Sequence, residues 1–230
     1  MCGRFSLTRS AAEVAEHFGV HPVPTLGPRY NVAPGQPVLV VRQPPRGGER
    51  RGELRVWGLL PRSARKASSG WINARIESAA ELPAFRDALR LRRCLVPADG
   101  FYEWSGPASQ RSPHHVALPD GPLFAMAGLY DTWRGPDGEV RGTCAVLTIA
   151  ACASLRPLHD RMPVLLEPAR YGAWLDPDLH DSDAVRALAD AGPGAALVAR
   201  RVGSRVNDPR HDEPACLDDE VLPLFALPRP

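Results

Sequence analysis

The sequence predicts an α+β fold in which a largely antiparallel sheet, curled or barrel-like, carries a few peripheral helices. Many short runs rich in β-branched and aromatic residues follow one another at the spacing of hairpins. Turn residues, above all glycine and proline, separate these runs, and only a few stretches show helical periodicity. With 230 residues, 44% of them hydrophobic, the chain is long enough to bury an ordinary core.

Two helices are predicted from capping-box sequences. Ser10 and Glu13 have the spacing at which the serine hydroxyl and the glutamate carboxylate each bind an amide at a helix start, so a helix is expected over residues 10–19. Ser78 and Glu81 repeat the pattern, so a second helix is expected to begin near residue 78.

The other elements are predicted from composition and turn residues. A hairpin is expected because two short β-branched runs flank the polar turn Pro44–Gly52. The predicted strands are Val38–Arg42, Leu54–Leu59, Arg93–Val96, Gly100–Trp104, His115–Leu118, Leu123–Trp133, Val140–Ile149 and Ala196–Val202. The later helices are expected at Pro168–Leu175 and Ser182–Ala191.

No linker or internal repeat divides the chain, so one domain over residues 1–230 is expected. Its tail, 222–230, is apolar and rich in proline, and either packs on the domain or frays. No run of about 18 apolar residues and no secretory signal is present. A cytoplasmic protein without a membrane partner is therefore expected.

The cysteines and histidines do not form a common metal pattern. Five cysteines are spread over the chain without a C-x-x-C pair, and the adjacent His114 and His115 should face opposite sides of a strand. We expect reduced thiols, no metal and no cofactor.

Charge is distributed unevenly along the chain. Residues 1–100 carry 16 basic and 8 acidic side chains, whereas residues 101–230 carry 12 and 18. A basic half of this kind suits a face that binds a polyanion such as DNA, because phosphate contacts release counterions. A solvated arginine-rich surface explains the same numbers, and charge alone leaves both interpretations open.

Cys2 follows the initiator methionine directly. A small second residue generally permits removal of that methionine, which would leave a free amine beside a thiol. The reference pKa values, about 7.7–8.0 for the amine and about 8.5 for the thiol, predict that both nucleophilic forms exist near neutral pH. With an aldehyde, the amine would form a Schiff base and the sulfur could then close a thiazolidine ring. Taken alone, a cysteine at position two is weak evidence, and an incidental residue at a frayed terminus explains it more simply.

Further polar groups lie in short apolar frames, mostly where a strand meets a turn. These motifs, in chain order, are Met1-Cys2-Gly3-Arg4-Phe5, Arg29-Tyr30-Asn31-Val32-Ala33-Pro34-Gly35, Trp57-Gly58-Leu59-Leu60-Pro61, Ile72-Asn73-Ala74-Arg75-Ile76-Glu77, Arg93-Cys94-Leu95-Val96-Pro97, Gly100-Phe101-Tyr102-Glu103-Trp104 and His159-Asp160-Arg161-Met162-Pro163. Together they closely resemble the SRAP family, named for SOS-response-associated peptidases, from Cys2 to about Asn207.

The resemblance implies a bacterial abasic-site processing protein of the DNA damage response, located in the cytoplasm or nucleoid. Such a protein binds single-stranded DNA and captures the aldehyde of an abasic site as a thiazolidine crosslink through its N-terminal cysteine. A monomer is expected. Motif by motif, the implied catalytic residues are Cys2, Asn73, Glu103 and His159, and the implied phosphate-binding residues are Arg4, Arg75 and Arg161.

The chemistry of these side chains suits such a reaction. His159 could open the closed abasic sugar by proton transfer, since the reference pKa of histidine is near 6.5. Glu103 could move the amine proton, and Asn73 could orient the amine or the sugar. One departure is notable: many family members carry a tryptophan where this chain has Ser63. A base-stacking contact is then absent or is supplied by another ring such as Trp71.

Two alternatives from other classes remain open. One is an N-terminal-cysteine amidohydrolase or peptidase, which would turn over glutamine or peptides without DNA. The other is a non-catalytic single-strand-binding module, whose binding would survive loss of the Cys2 thiol and leave no covalent species.

Overall fold

The computed structural model describes residues 2–24, 27–45, 47–64, 66, 70–107, 110–190 and 197–220. Met1, Arg65 and the tail 222–230 lie outside the described residues. In the order of the chain, the strands are β1 Phe5–Leu7, β2 Arg29–Val32, β3 Pro37–Arg42, β4 Arg51–Trp57, β5 Asn73–Arg75, β6 Arg93–Ala98, β7 Gly100–Ser105, β8 Ser112–Ala117, β9 Phe124–Arg134, β10 Val140–Ala150, β11 Arg161–Pro163, β12 Leu165–Leu166 and β13 Val198–Arg201.

The helices pack around these strands. They are α1 Ala11–Phe18, α2 Ile76–Ala79, α3 Arg86–Leu91, α4 Tyr171–Leu175 and α5 Ser182–Asp190, with 3-10 turns at Pro168–Arg170, Ser204–Asn207 and Pro214–Leu217. Within the described part of the chain, no helix combines the length and the apolar character needed to cross a bilayer.

The strands form two sheets. Five strands close into a barrel in the order β10-β4-β3-β6-β9, with β9 pairing back to β10. The short strands β5 and β11 pair with the end of β10, and β12 pairs with β9. An open five-stranded sheet has the order β13-β8-β7-β1-β2. Most neighbours are antiparallel, whereas β4 and β5 run parallel to β10. The predicted α+β fold with a barrel-like, largely antiparallel sheet is confirmed.

Alternation along the barrel strands divides the core in two. Leu39 of β3 faces a cluster that contains the apolar sides of the helices. Its neighbours Val38 and Val40 face a second cluster, which contains Phe5 and Phe101 of the open sheet. Cys2 belongs to this second cluster and is fully buried there. The second cluster therefore joins the open sheet to the barrel.

The predicted first helix is confirmed, but the position predicted for the start of the second helix is wrong. Ser10 and Glu13 form the complete capping box. In contrast, the chain becomes helical at Ile76, directly after β5, and this helix ends at Ala79. Pro83 disfavours helical backbone in the residue before it, so a separate helix, α3, begins only at Arg86.

His115 is half-buried in a hydrogen-bonded network on the other face of the open sheet. Ser6 Oγ donates to Asp99 Oδ1 at 2.6 Å and lies 3.0 Å from His115 Nε2, which therefore donates to the serine oxygen. The ring lies directly against Gly100, where a Cβ would be 2.0 Å from Nε2. Burial lowers the pKa of His115 to about 4.

This network predicts a loss of stability in acid. The unfolded chain takes up a histidine proton near pH 6.5, whereas the folded His115 does so near pH 4, so the free energy of unfolding falls as the pH drops through that window. We expect His115→Gln to flatten the slope, measured by urea unfolding from pH 4 to 7. His114→Gln, one residue away, is the control and should keep the wild-type slope. An unchanged slope in His115→Gln would contradict this account.

Candidate functional site

The four predicted catalytic residues come from separate elements. Cys2 precedes β1, Asn73 begins β5, Glu103 lies within β7 and His159 precedes β11. Because β1 pairs with β7, the segment that leads into β1 places Cys2 close enough to Glu103 of β7 for the charge of Glu103 to act on the Cys2 thiol. Asn73 comes from the barrel side, because β5 pairs with β10, and it meets Cys2 where the barrel and the open sheet are in contact.

Asn73 contacts Cys2 through a hydrogen bond. Its Nδ2 donates to the backbone carbonyl oxygen of Cys2 at 2.7 Å. Its Oδ1 is buried and has no hydrogen-bond partner in the described part of the chain. An unsatisfied buried acceptor is costly, so the site holds an amide oxygen that is suited to receive a donor.

The Cys2 thiol has no exposed surface. Burial raises the pKa of the Cys2 thiol well above its ordinary value, and the charge of Glu103 adds to the increase. In the chain that still carries Met1, this thiol therefore does not titrate near its reference value, because apolar surroundings disfavour the thiolate, and the expectation for the mature amine and thiol stays a prediction. Burial therefore favours the neutral form of the Cys2 thiol.

Glu103 lies on β7, held between β1 and β8. Only 5% of the residue is exposed, and burial raises the pKa of its carboxyl group. Asp160 raises this pKa further, whereas Arg111 lowers it. A carboxyl group with a raised pKa is able both to accept and to donate a proton closer to neutral pH.

His159 is presented by the turn between β10 and β11. Its Nδ1 lies 2.9 Å from the backbone amide of Arg161, which donates to it, and this contact favours the tautomer with the ring proton on Nε2. The carboxylate of Asp160 lies 2.7 Å from the same Nδ1 and favours a proton there instead. Burial lowers the pKa of His159, which favours the neutral ring.

The three predicted phosphate-binding arginines differ in their surroundings. Arg75 is exposed at the end of β5. Arg4 donates to Asn31 Oδ1 at 2.8 Å and to the carbonyl oxygen of Val206 at 2.7 Å, which fixes it between β1 and the C-terminal segment. Arg161 forms a bidentate ion pair with Glu77, with Nη1–Oε1 and Nη2–Oε2 distances of 2.7 and 2.8 Å. Of the three, Arg75 has the guanidinium most accessible to a ligand.

Two charged residues of the site were missed by the sequence analysis. Glu77 belongs to the motif that carries Asn73, but nothing in the sequence indicates its pairing with Arg161. Arg111 lies in the turn before β8 and lowers the pKa of both Glu103 and His159. No motif surrounds Arg111 in the sequence, so only the fold reveals its position.

The surface beside Asn73 contains a large exposed ring. Trp71 is 57% exposed, and its ring meets the edge of Phe85 at a centroid distance of 5.9 Å. Two backbone hydrogen bonds with Leu59, at 2.9 and 3.0 Å, hold the residue in place. Ser63 is exposed nearby in the chain.

No group of three or more histidine, cysteine, aspartate or glutamate side chains that could hold a metal ion occurs among the described residues. The five cysteines are free thiols.

Comparison with known proteins identifies relatives over almost the whole chain. Residues 1–209 match the family described as SOS response associated peptidase (SRAP). The abasic site processing protein YoqW of Bacillus subtilis (strain 168) is 36% identical over 224 residues, which cover 95% of this chain and 99% of that protein. The abasic site processing protein HMCES of Pongo abelii is 29% identical over 230 residues, with coverage of 83% and 64%.

Solved structures show the same fold. A protein from Bacteroides thetaiotaomicron has a TM-score of 0.83 at 23% identity and covers 96% of this chain and 100% of its own. A phage-related protein from Bordetella bronchiseptica has a TM-score of 0.69 at 29% identity, with coverage of 87% and 94%.

The surroundings of Arg4 and Arg75 predict different effects of their removal on stability. Arg4→Ala leaves the buried Asn31 side chain and the Val206 carbonyl without a charged donor, so we expect the free energy of unfolding to fall by about 1–3 kcal/mol. Arg75→Ala is the matched control, and its effect should stay within about 0.5 kcal/mol. Urea denaturation measures both, and equal losses would contradict a structural role for Arg4.

Proposed function

The chain belongs to the SRAP family, and on that premise we propose that it captures the aldehyde of abasic sites in single-stranded DNA through Cys2, once Met1 has been removed. The proposal rests on the position of the Asn73 side chain. Its Nδ2 donates to the Cys2 carbonyl oxygen, and its buried Oδ1 has no hydrogen-bond partner among the described residues. Relatives that are 36–37% identical are named abasic site processing proteins.

Asn73 would hold the mature N-terminal residue at two points. Its Nδ2 already binds the carbonyl oxygen of Cys2. Removal of Met1 turns the Cys2 amide into an amine, which can donate to the neighbouring Oδ1 of the same side chain. The amine would then be fixed beside its own thiol, which reduces the entropy lost when both attack one carbon atom.

The covalent chemistry proceeds in two steps. The Cys2 amine adds to the C1′ aldehyde of the open abasic sugar and loses one water to give a Schiff base. The Cys2 sulfur then adds to the same carbon, and the thiol proton ends on the former amine nitrogen as the thiazolidine ring closes. The crosslink therefore equals the sum of both molecules minus one water.

Proton transfer is the role proposed for Glu103. The amine must lose a proton before it attacks, and the neutral Cys2 thiol must lose one before ring closure. Glu103 is close enough for its charge to raise the pKa of the thiol, and burial raises the pKa of its own carboxyl group. An acid of this kind can accept a proton from the amine and return it to the leaving hydroxyl group.

Opening of the sugar is the role proposed for His159. An abasic deoxyribose is mostly a closed hemiacetal, and its ring oxygen must gain a proton as the ring opens. The neutral His159 ring carries its proton on Nε2, because Nδ1 accepts the Arg161 amide. This tautomer can donate the Nε2 proton to the ring oxygen while the C1′ hydroxyl group gives its own proton to the same nitrogen, so the imidazole ring stays neutral as the sugar opens.

DNA binding is proposed to depend mainly on Arg75 and Trp71. Arg75 is exposed two residues after Asn73, where a phosphate beside the lesion could be bound. Trp71 offers an exposed ring two residues before Asn73, on which a neighbouring base could stack. Arg4 and Arg161 stay candidates for phosphate contacts through the N–H groups that their internal partners leave available.

Replacement of the Cys2 sulfur separates the two covalent steps. Cys2→Ser keeps an amine that can form a Schiff base, but its hydroxyl group is a poorer nucleophile and should not give the stable ring product. We expect a crosslink to an abasic strand only after borohydride trapping, seen on a denaturing gel. A heat-stable adduct of Cys2→Ser at wild-type yield without borohydride would contradict the thiazolidine.

The amidohydrolase alternative is tested separately: turnover of glutamine or peptides by the wild-type protein without DNA would favour it.

The roles of His159 and Glu103 predict different responses to two substrates. His159→Ala should slow single-turnover crosslinking of a closed abasic sugar by about 10²–10⁴-fold, the usual range for general acid–base help. The same substitution should reduce the crosslinking rate much less for a DNA strand that carries an already open aldehyde. Glu103→Gln should slow both substrates, because both need the amine. Equal slowing of both substrates by His159→Ala would contradict the ring-opening role.

A further inference from the structure

The two sides of the site are connected by an ion pair across β10. Thr148 of β10 pairs with Arg75 of β5 on one edge and with Pro163 of β11 on the other. Asn73 therefore belongs to a strand on one edge of β10, and His159 precedes the strand on the opposite edge. Glu77 follows the first strand and Arg161 begins the second.

The geometry of this ion pair is that of a fixed link. Both oxygens of Glu77 accept from Arg161, at 2.7 and 2.8 Å, and Arg161 Nη2 also donates to the carbonyl oxygen of Thr148 at 2.7 Å. The Arg161 side chain is only 11% exposed. Bidentate arginine–carboxylate pairs of this kind restrict both side chains to one orientation.

Arg161 also contacts the ring of His159 and favours a proton on Nε2. Its backbone amide donates to His159 Nδ1 at 2.9 Å, while the Asp160 carboxylate lies 2.7 Å from the same nitrogen. If the amide moves away, Asp160 can stabilise a proton on Nδ1, and the ring no longer presents a neutral Nε2–H donor. A shift of Arg161 would thus change the tautomer that sugar opening requires.

We propose that Glu77 is a positioning residue for the reaction: by holding Arg161 across β10, it keeps the Arg161 amide on His159 Nδ1 and the proton on Nε2. The catalytic significance of this inference rests on the proposed function, whereas the link between Glu77 and the His159 tautomer does not. Glu77 itself touches neither the aldehyde nor the reacting groups of Cys2.

Two readouts test this inference with the full-length protein. The first is the tautomer of His159, measured from the nitrogen chemical shifts of its ring without DNA. The second is the ratio of two single-turnover crosslinking rates, one for a DNA strand with a closed abasic sugar and one for a DNA strand with an already open aldehyde. Glu77→Gln removes the charge and one of the two acceptors, and Glu81→Gln, an exposed acid in the turn after α2, is the matched control.

We expect Glu77→Gln to show mixed His159 tautomers and to slow the closed substrate at least about tenfold more than the open one, as loss of acid–base help requires. Glu81→Gln should match the wild type in both readouts. An unchanged tautomer together with an unchanged rate ratio would overturn the inference. Equal slowing of both substrates, with the tautomer unchanged, would assign Glu77 a purely structural role and overturn it as well.

The two proposals can fail separately. If the wild type forms no crosslink, the proposed function is wrong, and the tautomer measurement alone still tests whether Glu77 positions His159. If Glu77→Gln folds poorly, Glu77→Asp keeps the charge but shortens the side chain by one methylene group, and the same outcomes apply to it.

Discussion

β10 pairs on both edges at Thr148, with β5 on one side and β11 on the other. This double pairing fixes the relative position of Asn73 and of the turn that presents His159. Neither β5 nor β11 exceeds three residues, so neither is stable alone, and each depends on β10 for its backbone hydrogen bonds. The open sheet then adds Cys2 and Glu103 from β1 and β7, across the apolar cluster that it shares with the barrel.

Burial in this cluster has a chemical consequence for the site. It raises the pKa of the Cys2 thiol and of the Glu103 carboxyl group, and it lowers the pKa of His159. All three shifts favour the neutral form, as expected when low-polarity surroundings disfavour charge. Under the proposed function, the Cys2 thiol therefore begins neutral and Glu103 holds its proton more readily than an exposed carboxyl group, so proton transfer has to accompany each covalent step.

Local patterns in the sequence encode a large part of the fold. The capping box of α1, the long strands β9 and β10 and the barrel-like antiparallel sheet follow from spacing, turn residues and β-branched runs. The short strands β1, β2, β5 and β11 were missed, because three or four residues show no periodicity. The start predicted at Ser78 failed because Pro83 divides the segment into two helices, with α2 directly continuing β5.

In the candidate site, short motifs likewise identify individual residues, whereas contacts between residues far apart in the chain cannot be predicted from the sequence. Motifs pointed to Cys2, Asn73, Glu103 and His159, but the partners of Arg4 and Arg161 lie far away in the chain and only the fold brings them together.

Intact mass spectrometry of the wild-type protein with an abasic single strand tests the central claim most directly. We expect one adduct whose mass equals the protein without Met1 plus the DNA strand minus one water, and no such adduct with Cys2→Ala. An adduct that retains Met1, an equal yield from Cys2→Ala, or no adduct from the wild type would contradict capture of the aldehyde by an N-terminal Cys2.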